Sequence, residues 1–509
     1  MIRRLVERVR TDGDAPTVTT TAPVTGGPVA ELPQSSPAAV ARVVARARAA
    51  QSAWARRTPR GRAAVLWGLY DRVLAHQRQV LDLIQIEAGK SRAHAFEEVA
   101  DVAITAAWYA RHGPRLLDDT RRRGLVPGLS VATEVHHPKG VVGMIAPWNY
   151  PLTLTVADAV PALLAGNAVV LKPDTQTALT ALWGAVQLEA AGLPADVLQI
   201  VVGEGPVTGA ALVDAVDHVS FTGSSEVGRR IAQQAAARLV SSSLELGGKN
   251  GFYVAADADL DGAAAAAVRD CFASAGQMCV GTERLVVHRA VADAFLDRFV
   301  ARVERLRMGP ALDYSVDLGC LSSPAQLERV RSHVDDAVAR GARVLTGGGP
   351  RPDIGPLFFA PTVLAGVPDT AVCYAQETFG PVVAVHRVAS DDDAVALIND
   401  TEYGLNASVW SRDTRRARGI ARRIRTGTVN INDAYTASWS ALSSPMGGRG
   451  QSGLGRRHGA EGLLRCTESQ TIALQRVDVG PLYAQAGPRL AAGATALLRT
   501  ARRLRLPWP

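Results

Sequence analysis

A rhythm that begins at residue 140 constrains this chain more than any other feature. Short apolar runs at 140–146, 168–172, 197–202 and 218–222 alternate with helical stretches that reach 165 and then span 177–191, 205–213 and 225–239. Strands alternating with helices form βαβ units, and these build a parallel sheet covered by helices. Such a sheet offers the carboxyl ends of its strands to ligands, dinucleotides among them. A second α/β series runs from about 251 to 432, with strands expected at 284–287, 343–345 and 382–388. The 509 residues therefore read as two α/β units with smaller attached parts.

Those parts have their own signals. Residues 13–36 are rich in Pro, Thr, Gly and Ser and suggest an extended arm. Residues 37–113 repeat apolar positions at three and four, the mark of two or three amphipathic helices. At 129–137 apolar and polar residues alternate without a following helix, as in an exposed hairpin strand. Near the end, Leu490, Ala494, Leu497, Leu498, Ala501 and Leu504 share one helical face, with Arg499, Arg502, Arg503 and Arg505 mostly elsewhere. A basic amphipathic helix can lie on an anionic membrane; a helix docked on the protein or a free tail are the plainer options.

Composition narrows the class. Apolar residues make up 47% and charged residues 20%, the usual balance of a soluble protein. No apolar run reaches the length of a membrane-spanning helix, and residues 1–20 lack the apolar centre of a secretory signal. The cysteines are Cys271, Cys279, Cys320, Cys373 and Cys466, odd in number and spaced for neither disulfides nor zinc. Reduced thiols in a cytoplasm, with no metal, are expected. Of 56 basic residues only Lys90, Lys139, Lys172 and Lys249 are lysines. A surviving lysine can mark a place that needs a compact ammonium, although chance retention explains any single one. The net charge of +8 is spread along the chain without an aromatic stripe, so no nucleic-acid partner is expected.

Four segments carry candidate chemistry. Cys279 lies among small residues in F-A-S-A-G-Q-M-C-V-G-T at 272–282, where loop amides can favour a thiolate; a small buried hydrophobe is the alternative. Glu245, between two leucines and before Gly247 and Gly248, is a carboxylate that must be paired, solvated or shifted in pKa. It could activate water or form an ordinary strand-end ion pair. Asn149 in P-W-N-Y-P at 147–151 could donate to an oxyanion or simply stabilise a turn. Gly223 and Gly228 in F-T-G-S-S-E-V-G at 221–228 bracket a helix start, where free amides favour phosphate. Lys172 ends the preceding strand, within reach of a ribose or phosphate or else at the surface.

Together these segments resemble the aldehyde dehydrogenase superfamily over roughly residues 30–476. The matching motifs fall in the family's order: P-W-N at 147–149, L-K-P at 171–173, F-T-G-S at 221–224, L-E-L-G-G-K at 244–249, G-Q-x-C at 276–279, E-x-F-G-P at 377–381 and P-M-G-G at 445–448. The resemblance implies an α/β fold: a Rossmann-type cofactor domain, a second α/β catalytic domain and a β-hairpin oligomerisation segment. The expected division is an N-terminal arm at 1–36, an NAD(P)-binding domain at 37–128 and 138–246, and a catalytic domain at 247–432. An oligomerisation and bridging segment follows at 129–137 and 433–476, in which 463–473 supplies the second strand, and a C-terminal extension at 477–509.

The same resemblance assigns roles. Cys279 becomes the nucleophile, Asn149 with the Cys279 N–H the oxyanion donors, and Glu245 the base that hydrolyses a thioester. Trp148, Lys172, Thr175, Gly223, Ser224, Glu377 and Phe379 become the cofactor set. Thr175 stands where NAD-preferring members often place a glutamate, which favours NADP over NAD, although Asp174 beside it carries an opposing charge. Within the superfamily the sequence is most similar to the succinate-semialdehyde dehydrogenase group, in its second actinobacterial-type branch. The two arginines that hold the substrate carboxylate in the better-known branch fall at Ala157 and Ala273 here. Another cation or hydroxyl set would be needed, and Ser443 and Ser444 are candidates unless they serve only their loop. The expected partners are a small aldehyde and further copies of this chain, as a homodimer or homotetramer. The competing activities are oxidation of other aliphatic or aromatic aldehydes, acylation of CoA, and redox-independent ester hydrolysis.

Overall fold

The computed structural model describes residues 1–123, 130–476 and 480–505. Its first sheet has six strands in the order Gly453–Leu454, Ser241–Glu245, His218–Thr222, Val141–Ile145, Ala168–Lys172 and Leu198–Ile200. All neighbours are parallel except the short Gly453–Leu454 edge. Strand order reverses at Val141–Ile145, so the chain leaves this strand and returns on its other side. A crevice opens at the carboxyl ends at such a point. The strands are apolar and buried because helices cover both faces.

The helices in front of this sheet number four: Pro37–Ala55, Pro59–Ala75, Gln77–Ala88 and Arg92–Leu116. Periodicity predicts two or three there, because local stop signals inside one continuous pattern are easily overlooked. Ser36 and Thr58 each accept a hydrogen bond from a first-turn amide (Ala39 N and Gly61 N, both 3.1 Å) and each precedes a proline. Gly89, left-handed at φ 71°, ends the third.

The N-terminal region is folded down rather than extended. Thr17–Thr21 pairs antiparallel with Pro28–Pro33, and Leu5, Val9 and Leu32 enter the core of the first unit.

The second sheet runs Arg343–Thr346, Thr362–Ala365, Val382–Val388, Thr282–His288, Asn250–Val254, Ala407–Trp410 and Asn430–Ile431, parallel except for its first pair. Only residues 246–249 connect the Ser241–Glu245 strand of the first sheet to the Asn250–Val254 strand of the second. The two sheets therefore meet with the carboxyl ends of one facing the amino ends of the other.

A third sheet holds Thr467–Gln475, Ser130–Pro138 and Thr120–Arg123, all antiparallel. The strand expected at 129–137 thus appears as Ser130–Pro138, while residue 129 lies outside the described residues. The strand expected at 463–473 starts later, because Gly459–Leu464 forms a short helix first. Thr467–Gln475 is an edge with Ile472 and Leu474 more than half exposed. The C-terminal helix Gly480–Arg503 is broken at Gly487 and exposes Leu497 and Leu498, with Leu504 exposed just beyond its end. Residues 477–479 and 506–509 of the expected extension lie outside the described residues.

Candidate active site

The cleft between the two sheets collects most of the candidate residues because of where the strands stop. Trp148 and Asn149 follow Val141–Ile145, Gly223 and Ser224 follow His218–Thr222, and Glu245 ends its strand. From the other side, Cys279 precedes Thr282–His288, and Glu377 and Phe379 precede Val382–Val388.

The approach to Cys279 is an unusual piece of backbone. Ser274, Ala275 and Gly276 are left-handed in succession, at φ 51°, 56° and 71°. A Cβ on Gly276 would lie 2.0 Å from the Gly380 carbonyl oxygen, so a side chain has no room there. Neighbouring amides hold this turn in place. Asn250 Nδ2 donates to the Cys279 and Gly281 carbonyls at 2.7 and 2.9 Å, Asn406 Nδ2 donates to Val280 O at 3.0 Å, and Gln277 accepts from Ser322 N at 2.9 Å. Strained backbone held by surrounding bonds is common where a reactive group must be aimed.

Two cavities meet at this cysteine, sharing Cys279, Asn149 and Leu154 in their walls. The first, of about 740 Å³, is lined by Trp148, Gly223, Ser224, Glu245, Gly247, Glu377 and Phe379. The second, of about 780 Å³, is lined by Tyr150, Met278, Tyr435, Thr436, Trp439 and Ser440, with Glu97 and Asp101 on its helical side. Asn149 Nδ2 donates one hydrogen to Gln277 O at 3.0 Å, and an amide nitrogen carries a second.

Charge is finely balanced here. Burial pushes the Cys279 thiol up to about 12, assisted by the nearby Glu377 and Glu245 carboxylates. Burial likewise raises Glu245 to about 7, with Arg457 opposing, and its Oε1 has no hydrogen-bond partner. Burial raises Glu377 to about 8, with Glu283 adding to the effect and Gly248 N donating to it at 2.9 Å. Of the two cleft carboxyls, Glu245 is thus the one closest to balance between its protonated and ionised forms at neutral pH.

The cofactor candidates divide into two groups. Trp148 and Phe379 meet edge to face at 5.6 Å, and Ser224, in the wall of the first cavity, caps the helix Ser225–Ala237 by accepting from Val227 N. A Cβ on Gly247 would come within 2.5 Å of Glu377 Oε2, so bare backbone forms this wall. Lys172 and Thr175 are not in the wall; they sit at the carboxyl end of the Ala168–Lys172 strand. Lys172 is buried, and its ammonium donates to Pro173 O at 3.3 Å. Thr175 is half-buried at the start of a turn, and Asp174 turns its carboxylate onto Gln176 N at 2.9 Å.

Ser443 and Ser444 are exposed and line neither cavity; Thr436, Trp439 and Ser440 occupy the position expected of them. Sequence reasoning also missed Glu283. This buried carboxylate accepts from Thr378 N and Phe379 N at 2.9 and 2.8 Å and pairs with Lys249, fixing the loop that carries Glu377. Its only sequence signal is a charged pair, Glu283 and Arg284, at the start of a strand that turns apolar at 285–287. Arg329, whose guanidinium donates to Glu377 O at 2.5 Å, is a further cleft residue with no local signal.

Comparison with known proteins matches this arrangement. The profile described as "Aldehyde dehydrogenase family" covers residues 10–472. A Mycobacterium tuberculosis protein named "Putative succinate-semialdehyde dehydrogenase [NADP(+)] 2" is 51% identical over 462 residues, 91% of this chain and 89% of its own length. The crystal structure of succinate-semialdehyde dehydrogenase from Burkholderia pseudomallei superposes with a TM-score of 0.87 at 36% identity, covering 91% of this chain and 95% of that one. A crystal structure of an E. coli NADP dependent enzyme gives 0.88 at 33% identity, covering 91% and 96%. Both sheets and the cleft between them fall within these matches, and the chain belongs to the aldehyde dehydrogenase family.

Proposed function

We propose that the chain oxidises an aldehyde to its carboxylate with NADP⁺ through a thioester on Cys279. The observation that carries this reading is the meeting of Cys279, Asn149 and the unpaired Glu245 where an apolar cavity joins a polar one. The aldehyde enters the apolar side, and Cys279 Sγ, giving up its proton to solvent as it attacks, adds to the carbonyl carbon. The oxygen, now negative, accepts hydrogen bonds from Asn149 and the Cys279 amide, a contribution worth about 10²–10³ in rate. NADP⁺, when bound, supplies the hydride acceptor. Glu245 then takes a proton from water, the hydroxide attacks the thioester and expels the Cys279 thiolate, and the proton passes back from Glu245 to sulfur, restoring thiol and base as the acid product leaves and ionises.

The residues present suit that cofactor. Helix amides behind Ser224 and the bare Gly247 backbone leave a cradle for phosphate. Lys172 spends one donor on a carbonyl and keeps the others for ribose hydroxyls or phosphate. Thr175 in place of a carboxylate, the engagement of Asp174 with Gln176, and the relatives' names favour NADP⁺ over NAD⁺. Those names also make succinate semialdehyde the first substrate to test. Glu245 favours hydrolysis over transfer to CoA.

The domain division given above stands as part of this reading, with 129–137 and 433–476 joining protomers. The exposed Thr467–Gln475 edge supports a homodimer or homotetramer, because strand pairing between copies would cover it. No helix of the described residues is long and apolar enough to cross a membrane. A cytoplasmic enzyme, with the C-terminal basic helix touching an anionic lipid surface, completes the proposal.

The test is turnover of an aldehyde panel with NAD⁺ and NADP⁺ separately, followed by mass analysis of rapidly quenched enzyme. An acyl mass on the peptide containing residue 279, formed only with a nicotinamide cofactor, is expected. Its absence during turnover, or equal turnover without cofactor, overturns the reading.

A further inference from the structure

Three side chains hold the backbone of segment 377–379. Gln326 Nε2 donates to Thr378 O and Phe379 O at 3.1 and 2.7 Å, and Arg329 donates to Glu377 O. The Glu283 carboxylate takes the amides: its Oε1 accepts from Thr378 N at 2.9 Å and from Phe379 N at 2.8 Å. The shape being held is an unfavourable one. Phe379 is left-handed at φ 57°, a region that a bulky residue enters only under constraint.

The local fold aims Glu283 at this loop. Where Asn250–Val254 pairs with Thr282–His288, Asn250 faces Thr282 and Gly251 faces Arg284, so Glu283 is the extra residue of a bulge. A bulge re-aims a side chain that regular alternation would send elsewhere. Glu283 is 6% exposed, and its Oε2 takes the ammonium of Lys249, itself 2% exposed. Lys249 follows Gly248, whose N–H donates to the Glu377 carboxylate at 2.9 Å. Cys279 stands four residues before Glu283 in the chain. The Gly380 carbonyl, next along the loop, packs against Gly276 in the turn that leads to Cys279. One carboxylate thus ties the loop of Glu377 and Phe379 to the segment that carries the nucleophile.

We propose that Glu283, anchored by Lys249, is a positioning residue for hydride transfer. It acts through the Thr378 and Phe379 amides, which fix Glu377 and Phe379 relative to Cys279. This rests on the aldehyde-oxidation reading and adds a residue to it. In that step the C–H bond of the oxyanion adduct on sulfur breaks, its hydride passes to the nicotinamide, and the oxyanion closes to the thioester carbonyl. An error of about 1 Å between the groups that hold donor and acceptor costs about 10²-fold in rate. Thiol attack and water activation depend on Cys279, Asn149 and Glu245 and are affected far less.

The experiment compares two double variants of the full chain. Glu283→Met with Lys249→Met strands no charge but leaves the loop amides without an acceptor. Glu283→Gln with Lys249→Met restores one uncharged acceptor oxygen. Hydrogen exchange without cofactor should quicken at Thr378 and Phe379 in the Met variant and return toward wild type in the Gln variant. The first turnover of NADPH from succinate semialdehyde should fall about 10²-fold in the Met variant, with most of the loss recovered by Gln. Deuterium on the aldehyde carbon should slow that turnover further. Hydrolysis of p-nitrophenyl acetate without cofactor, which needs the thiol but no nicotinamide, should stay within about threefold in both. If exchange and first turnover do not change, if Gln is no better than Met, or if oxidation and ester hydrolysis fall by one factor, the assignment of Glu283 is overturned while aldehyde oxidation stands. If wild type forms no NADPH with any aldehyde of the panel, the underlying reading fails, and this one with it.

Discussion

Three glycines separate what Gly276 does for the backbone from what it does for its neighbours. Gly276, at φ 71°, faces the Gly380 carbonyl, with its oxygen 2.0 Å and its carbon 2.3 Å from an added Cβ. Gly341 has a similar left-handed backbone, φ 98°, but nothing within 4 Å, and Gly349 has open space and an ordinary φ. Alanine in the left-handed region costs about 1–2 kcal/mol, and forcing a methyl into filled space costs about 1–3 more. Gly276→Ala should therefore cost about 2–5 kcal/mol, Gly341→Ala about 1–2, and Gly349→Ala less than about 0.5. In a chain of this size, at about 2.1 cal/mol/K of unfolding entropy per residue, these values lower Tm by roughly 2–5 °C, 1–2 °C and less than about 0.5 °C. Activity adds a second axis. Cys279 follows Gly276 by three residues, and a displacement near 1 Å at a reacting atom costs about 10²-fold in rate. Thermal unfolding and kcat/KM with butanal, measured on all three variants, should show the rate falling only in Gly276→Ala. A Gly276→Ala protein as stable as Gly341→Ala and fully active would refute the view that close packing against Gly380 aims the thiol.

Glu245→Gln should give one equivalent of NADPH per site in a rapid burst and little steady turnover, because hydrolysis loses its base; a missing burst would move Glu245 to thiol activation. The base acts when ionised, so the wild-type steady rate should rise with pH through about 7, and stopped-flow pH profiles should lack that step in Glu245→Gln. Lys90→Met strands Glu98, which is 0% exposed at its side chain and also accepts from Leu152 N and Thr153 N. The loss should be about 3–5 kcal/mol by chemical denaturation, and adding Glu98→Gln should recover most of it; no recovery would mean packing, not charge, is at stake. Anionic vesicles should float the full chain but not a version ending at residue 483, and equal recovery of both in the soluble fraction would end the membrane proposal.

Periodicity and motif carried most of the fold. The strands Ala168–Lys172, His218–Thr222 and Val382–Val388 can be read off residue for residue, because buried parallel strands are short, apolar and bounded by breaks. The residues of the polar cavity were legible for a related reason: they lie at strand ends, where a local motif and its position in the sheet coincide. Asp101 and Glu97 were not. Two acids four residues apart on an amphipathic helix look like a solvated face, and only Trp439 and Tyr435, each 338 residues away, turn that face into a cavity wall. Glu283 escaped similarly, since its partners Thr378 and Phe379 come from a different strand connection. Nothing local tells which turn of that loop points inward, so the sequence points to Ser443 and Ser444 while Ser440 is the serine that lines the cavity.

The scarcity of lysine has a practical side. Lys90, Lys172 and Lys249 are buried, and the Lys139 side chain is 8% exposed against Glu468. Amine-directed reagents and lysine-modifying enzymes should therefore find almost no target on the native surface beyond the α-amino terminus. Covalent labelling, immobilisation and cross-linking of this protein will have to use guanidinium or carboxyl chemistry, and any lysine that does become reactive would report that the structure around it has opened.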